Sequence, residues 1–373
     1  MTKIRLKIGI LGTRGIPNRY GGFEECAEKL ALGLAGKGHD VWVYNSHHHE
    51  FKDALWQGVH IVHCNDPEDR LGTAGHFIYD LNCINDARRR RYDIVLQLGY
   101  TSSSVWWWRW PTRAVNLVNM DGLEWKRSKY SRKVQAFLKR AEAWAARHAD
   151  GLIADSPGIQ QYLLDQYGKT STYIPYGAAI YEAPDPGVLS KYGLHPEAYQ
   201  LLIARMEPEN NIETIIQGYL ESGSDQPLMI VGNTGNAFGT RMKELYGADR
   251  RLLFAGAIYD AAVINALRHY ASLYYHGHSV GGTNPSLLEA MGCRARIVAH
   301  RNPFNAAVLG EDAFYFSDAA ELAGIIRSAG PKTAQAGWLD ANIQKIRASF
   351  NWPSVVDAYE QLMLEAYVSG KKG

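Results

Sequence analysis

Several large protein classes are excluded by what this sequence lacks. Its four cysteines, Cys26, Cys64, Cys83 and Cys293, are scattered without a CxxC pair, which fits free thiols in a reducing cytosol and not a disulfide framework. No uninterrupted apolar run approaches the roughly 18 residues of a membrane span. The charged opening MTKIRLKIGILG is expected to be a first strand, being too short and polar for a signal peptide. A net charge of +2 argues against nucleic acid as the main partner. There is no GxGxxG, no Walker lysine and no Asp-x-Asp, so the common signatures for dinucleotides, nucleoside triphosphates and metal-bridged diphosphates are all missing.

What is present is an alternating pattern of strands and helices long enough, at 373 residues, for two cores. Apolar runs at 4–11, 40–45, 59–63, 93–98, 114–118 and 151–154 read as strands, with helical spacing at 23–37 and 129–148 between them. The pattern breaks into proline and glycine at 172-TYIPYGAAIYEAPDPG-187 and restarts, with strands at 199–204, 228–231, 252–255, 272–275 and 296–299 and helices at about 211–221, 239–246, 260–270 and 285–292. The fold class is therefore α/β, with two doubly wound Rossmann-like domains. Their boundaries are 1–175, 176–350 and a C-terminal helix over 351–373 that is expected to pack back toward the N-terminal domain. Two such domains facing across a cleft would place ligands at the C-terminal ends of their strands.

The loops that follow strands carry the chemistry. The stretch 276-HGHSVGGTNPSLLEAMGC-293 sets Gly281 and Gly282 before Thr283-Asn284-Pro285. Proline suits a first helical position, Asn284 or Thr283 can cap the turn, and the exposed amides of the helix start suit a phosphate. Glu289 follows one turn later, either as an ordinary exposed glutamate on a core helix or as a ligand contact. Arg205, just after a strand in 204-ARMEPENN-211, is either a surface cation or a grip for a diphosphate. The turns 231-VGNTGN-236, with Gly232 and Asn233, and 255-AGAIYD-260, with Ile258 and Tyr259, are weaker candidates for the same side. In 12-GTRGIPNRYGG-22, Gly21 and Gly22 could offer amides to a phosphate or simply turn the chain into a helix. Asp121, in 119-NMDGLEWKR-127, is a turn residue or a catalytic contact.

Two further clusters stand out. His47, His48 and His49, with His60, His63 and Cys64, are a poor metal site, because consecutive histidines do not easily share one ion and no carboxylate pair completes the set. No metal and no cofactor are expected. The run 105-VWWWRWPTR-113 is core or an interfacial surface. Near it, Lys126, Arg127, Lys129, Arg132, Lys133, Lys139, Arg140 and Arg147 face a single acid, Glu142, which favours a membrane-facing patch.

The two-domain layout, IPYG at the linker, Arg205 after a strand and PSLLEAMG together resemble glycosyltransferase family 4 over essentially the whole chain. GTRGIPNRYGGFE, DGLEWKR and HGHSVGGTNPSLLEAM resemble its rhamnosyltransferase subgroup. The resemblance implies a GT-B fold and a retaining, metal-independent hexosyltransferase. It implies a dTDP- or UDP-sugar donor, best L-rhamnose from dTDP-rhamnose, and a lipid-linked or saccharide acceptor in bacterial polysaccharide synthesis, at the inner face of the cytoplasmic membrane. Glu289 matches the second glutamate of the family's E-x7-E, which holds the ribose. Gly281 stands where the first glutamate would be, and Asn210 where the diphosphate-clamping lysine would be. Catalytic roles are then expected for Asp121, Arg205 and Glu289. Donor contacts are expected from Gly21, Gly22, Arg205, Asn210, Gly232, Asn233, Ile258, Tyr259, Gly281, Gly282, Thr283, Asn284 and Glu289. The competing readings are an NAD-dependent oxidoreductase or epimerase and an inactive nucleotide-sugar-binding protein.

Overall fold

The computed structural model describes residues 4–18, 21–127, 129–182 and 184–370. They form two compact units, one drawn from Met1–Lys126, Tyr130–Tyr176 and Trp352–Gly373, the other from Arg127–Lys129 and Gly177–Asn351.

The first unit is built on eight strands: β1 (Lys7–Leu11), β2 (Asp40–Ser46), β3 (Leu55–Trp56), β4 (Val59–Cys64), β5 (Ile94–Leu98), β6 (Val115–Asn119), β7 (Gly151–Ala154) and β8 (Thr172–Tyr173). Their order is β3-β4-β2-β1-β5-β6-β7-β8. Only the short β3 runs antiparallel to its neighbour. Central strands such as IVLQL are buried along their whole length, as expected of a parallel sheet with both faces covered. The helix Trp352–Gly370 belongs to this unit. It packs on Gly22–Gly36 so closely that a Cβ on Gly33 would lie 2.7 Å from Val356. Lys37 Nζ and His39 Nε2 reach Glu360 at 2.7 and 3.0 Å, and Asn119 donates to the Tyr359 hydroxyl at 2.9 Å.

The second unit has β9 (Gln200–Ile203), β10 (Leu228–Val231), β11 (Leu252–Gly256), β12 (Leu273–His276), β13 (Ile297–His300) and β14 (Phe314–Phe316). They are ordered β11-β10-β9-β12-β13-β14 and all pair in parallel. This is the strand order of Rossmann domains, and the order reverses between β9 and β12. Leu202, Ile216, Ile230, Tyr275, Val298 and Phe316 fill one core layer.

The tryptophan run lies in the connection that leaves β5, where a 3-10 segment, Ser103–Arg109, holds its first part. Trp106 donates to Phe77 O at 2.8 Å and Trp110 to Ser103 O at 3.2 Å, which anchors those two rings and leaves Trp107 and Trp108 outermost.

Two glycines test this packing in opposite directions. A Cβ on Gly277 would lie 2.0 Å from the Asn210 carbonyl oxygen, whereas one on Gly324, inside the helix Ala319–Ser328, meets nothing within 4 Å. Gly277→Ala should cost about 1–3 kcal/mol. Gly324→Ala should stabilise by about 0.5–1 kcal/mol. Denaturant titration of the two variants reads both signs.

Candidate functional site

At the reversal between β9 and β12, the segments that leave the two strands are stitched together. Asn210 donates from Nδ2 to Arg205 O at 2.7 Å and pairs through Oδ1 with His278 Nδ1 at 3.0 Å. Asn211 donates to Gly277 O at 2.7 Å. Ser279 donates from both its amide and its hydroxyl to Glu209 O, at 3.1 and 2.8 Å. Because the Asn210 amide is oriented by Arg205 O, its oxygen faces His278 Nδ1, which must therefore donate. Burial, with the Arg127 and Arg205 cations nearby, lowers His278 to about 4. Its ring is thus neutral at pH 7, with an acceptor lone pair on Nε2. Arg205 itself is exposed beside this histidine.

The helix Pro285–Gly292 starts next. Asn284 is its cap, accepting from Ser286 N at 2.9 Å, and Pro285 is its first residue. Gly281 has φ 116°, a conformation open to glycine and strained for other residues. It therefore turns the chain where a glutamate could not sit without strain. Gly282 is half-buried and Thr283 buried.

Glu289 is neither an idle surface group nor a freely placed one. Its carboxylate meets Arg268 Nη2 at 2.5 Å; the arginine side chain is 3% exposed and the glutamate 32%. Arg268 also donates to Ser286 Oγ at 2.9 Å, and the Tyr274 hydroxyl joins the same oxygen at 3.1 Å. The buried guanidinium thus fixes a half-exposed carboxylate. Arg268 was missed in the sequence because it sits in the last turn of the amphipathic helix Ala261–Tyr270, where a basic residue ordinarily faces water and the helix dipole.

The remaining donor-side candidates divide by environment. Asn210 is buried, and its amide is engaged by protein groups at both ends. Gly232 allows close backbone approach, since a Cβ there would lie 2.2 Å from Ala204 O. Asn233 closes a turn by accepting from Gly235 N at 2.9 Å. Ile258 is half-buried and Tyr259 is 66% exposed, both just beyond β11.

Three candidates lie in the first unit. Gly21, at φ 124°, precedes the helix that opens at Gly22, and Arg19 and Tyr20 of the same loop lie outside the described residues. Asp121 follows β6 in the left-handed region, φ 51°, with its amide donating to Asn119 Oδ1 at 3.0 Å. Asp121 thus holds a left-handed conformation at the C-terminal edge of the sheet, where ligands bind in such folds. The histidines serve the loops. His47 Nδ1 accepts from Asp66 N at 2.9 Å, His49 Nδ1 from Phe51 N at 3.1 Å, and His63 contacts Phe51 O at 2.8 Å. Among the described residues no group of three or more His, Cys, Asp or Glu could hold a metal ion. Glu142, the lone acid of the basic helix Arg132–His148, is buried and accepts from Tyr100, Tyr162 and Tyr167 at 3.2, 2.6 and 2.6 Å.

The fold defined by these two units is that of GT-B glycosyltransferases. Sucrose-phosphate synthase from Thermosynechococcus elongatus superposes with a TM-score of 0.79 at 17% identity, over 98% of this chain and 100% of that one. HepE from Anabaena, solved with UDP and glucose, gives 0.73 at 18% identity over 96% and 99%. The α,α-trehalose 6-phosphate synthase from Burkholderia multivorans gives 0.72 at 11% identity over 99% and 98%. In sequence, residues 6–179 match the family described as a domain of unknown function, DUF1972. No curated protein matches.

The site's internal support makes two variants informative. Asn210→Lys, which would supply the lysine of the resembled family, puts a cation in a buried position and unties Arg205 from His278. It should cost about 2–3 kcal/mol in a denaturant titration. Glu289→Ala strands the buried Arg268 charge and should cost about 3 kcal/mol, whereas Glu289→Gln keeps an acceptor and should cost about half as much.

Proposed function

We propose that the chain is a retaining, metal-independent glycosyltransferase whose second unit holds a nucleoside diphosphate sugar. The observation that carries this is the convergence, at one strand-order reversal, of exposed Arg205, neutral His278, the Gly281–Thr283 turn into a helix start, and Glu289 fixed by Arg268. Glu289 accepts from the ribose hydroxyls. Arg205 and the helix start face the diphosphate, where Gly281 makes room for the close approach. Gly232, Asn233, Ile258 and Tyr259 line the nucleotide side. His278 Nε2 accepts from a sugar hydroxyl, while Asn210 acts by holding His278 and the Arg205 loop. The HepE structure with UDP and glucose supports a donor of this class.

Transfer follows a same-face course. The bond from the anomeric carbon to the diphosphate oxygen breaks, the acceptor oxygen bonds to that carbon, and the departing diphosphate takes the acceptor proton. Arg205 and the backbone amides stabilise the charge that develops on the leaving oxygen. The first unit takes the acceptor, with Asp121 orienting its hydroxyl, and the amides of Gly21 and Gly22 are offered to a donor phosphate. The donor we favour is dTDP-rhamnose and the acceptor a lipid-linked saccharide of bacterial surface polysaccharide. The work is placed in the cytoplasm at the membrane's inner face.

Membrane contact is assigned to the first unit's aromatic and basic surface. Among the described residues no helix is long and apolar enough to cross a membrane. Trp108 is 54% and Trp107 36% exposed, Trp107 stacks on His148 at 3.7 Å, and the helix Arg132–His148 turns its one acid inward. Exposed tryptophans together with a helix whose Arg132, Lys133, Lys139, Arg140 and Arg147 are exposed suit an anionic interface.

Thermal shift against dTDP-rhamnose, UDP-glucose, UDP-N-acetylglucosamine, GDP-mannose and NAD tests the donor, because a ligand that binds the native state raises the melting temperature. We expect stabilisation by a sugar nucleotide without added metal. Arg205→Ala should weaken that binding about 10- to 100-fold and Glu289→Gln about tenfold. A response to NAD alone would replace the transferase reading with an oxidoreductase. Tight sugar-nucleotide binding without turnover on any acceptor would leave a binding protein. Separately, the chain should sediment with phosphatidylglycerol vesicles but not phosphatidylcholine vesicles, and Trp107→Ser with Trp108→Ser should reduce that binding about tenfold.

A further inference from the structure

At the other edge of the second unit's sheet lies a pocket of about 420 Å³ that the proposed reaction does not use. It opens at the strands' N-terminal ends, among Gln200 at the first position of β9, Ser272 just before β12 and Arg296 just before β13. A four-residue strand spans about 13 Å, so this pocket and the Arg205–Glu289 site are on opposite edges of one sheet.

Its lining mixes polar and apolar groups and carries more positive than negative charge. Arg296 is 3% exposed, yet it binds only neutral groups: Ser272 O at 2.8 Å, Ala329 O at 3.1 Å, Gly330 O at 3.1 Å and Gln335 Oε1 at 3.0 Å. Its Nη2 carries two hydrogens and makes one of these bonds, to Gly330 O, so a second hydrogen remains for a ligand. Lys332, 8% exposed, donates to the His269 carbonyl. Burial lowers its ammonium to about 8, against the pull of Glu197. Arg327 adds an exposed third cation at the wall, and Glu197 is the sole acid of the lining. Gln200, Ser224, Gln226 and Ser272 complete it with a hydrogen-bonded amide and hydroxyl network. Both buried cations rest on carbonyl oxygens near helix C-termini and feel Glu197, yet no carboxylate bonds either directly, so an anion in the pocket would meet donors already oriented. The volume falls within the range of small-molecule sites.

We propose that this pocket is a second, non-catalytic binding site for a small oxyanion-bearing metabolite, phosphorylated or carboxylate, held by Arg296, Lys332 and Arg327. The inference does not depend on the transferase reading. Calorimetric titration of the full chain with inorganic phosphate and with citrate tests it, in the presence of excess UDP and again in Arg205→Ala. We expect one of the two anions to bind unchanged in both conditions. Arg327→Glu, a surface change that leaves the core alone, should weaken binding at least about tenfold, and Arg296→Gln should do the same if it folds. Binding of phosphate alone assigns a phosphorylated ligand, and binding of citrate alone a carboxylate. The proposal is overturned if neither anion binds, if UDP or Arg205→Ala abolishes binding, or if Arg327→Glu binds as the wild type does.

Discussion

Most of the candidate donor site depends on one close approach, between the backbone at Asn210–Asn211 and the 276-HGH-278 turn. Gly277 has no side chain, so the two segments can come within backbone contact. The Asn210 amide then satisfies Arg205 O on one side and His278 on the other. A buried primary amide has donors and an acceptor to satisfy, and here each end has a partner inside the protein. The consequence for function is indirect but strong. Arg205 is placed, His278 has its tautomer set, and both stay beside the turn that leads to the helix start.

The same economy governs Glu289. A buried arginine beneath a half-exposed carboxylate restricts the carboxylate's rotamers without a second acid nearby. This arrangement suits a group that must present an oxygen to a ligand and keep it there. It also means that loss of binding in a Glu289 variant carries meaning only when stability is measured beside it. The absence of the first glutamate fits the backbone geometry, since position 281 has a positive φ that glycine adopts without cost.

Much of the architecture was legible in the sequence. The strand Leu228–Val231 and the helix Pro285–Gly292 fall where the apolar runs and the Asn284-Pro285 start place them, and most other elements lie within a few residues of the expected range. The short strands β3, β8 and β14 were not legible, since two or three residues carry no period. The turn within the tryptophan run has no period to announce it, since it is held by indole donors to Phe77 O and Ser103 O.

Local pattern alone determined the α/β class, the break near residue 176, the cap and first residue of the helix at 285, and the candidacy of Arg205 and Glu289. Each of those signals lies within a few residues of chain, and hydrophobic period or capping chemistry expresses it directly. Only the tertiary structure decided that Arg268 underlies Glu289, that Asn210 holds His278, that Glu142 faces three tyrosines, and that Arg296 and Lys332 share a pocket. The first two of those pairings join residues 21 and 68 positions apart. Sequence spacing does not encode which distant polar groups meet. The strand order brings them together, and the cost of leaving a buried charge or amide unsatisfied holds them there.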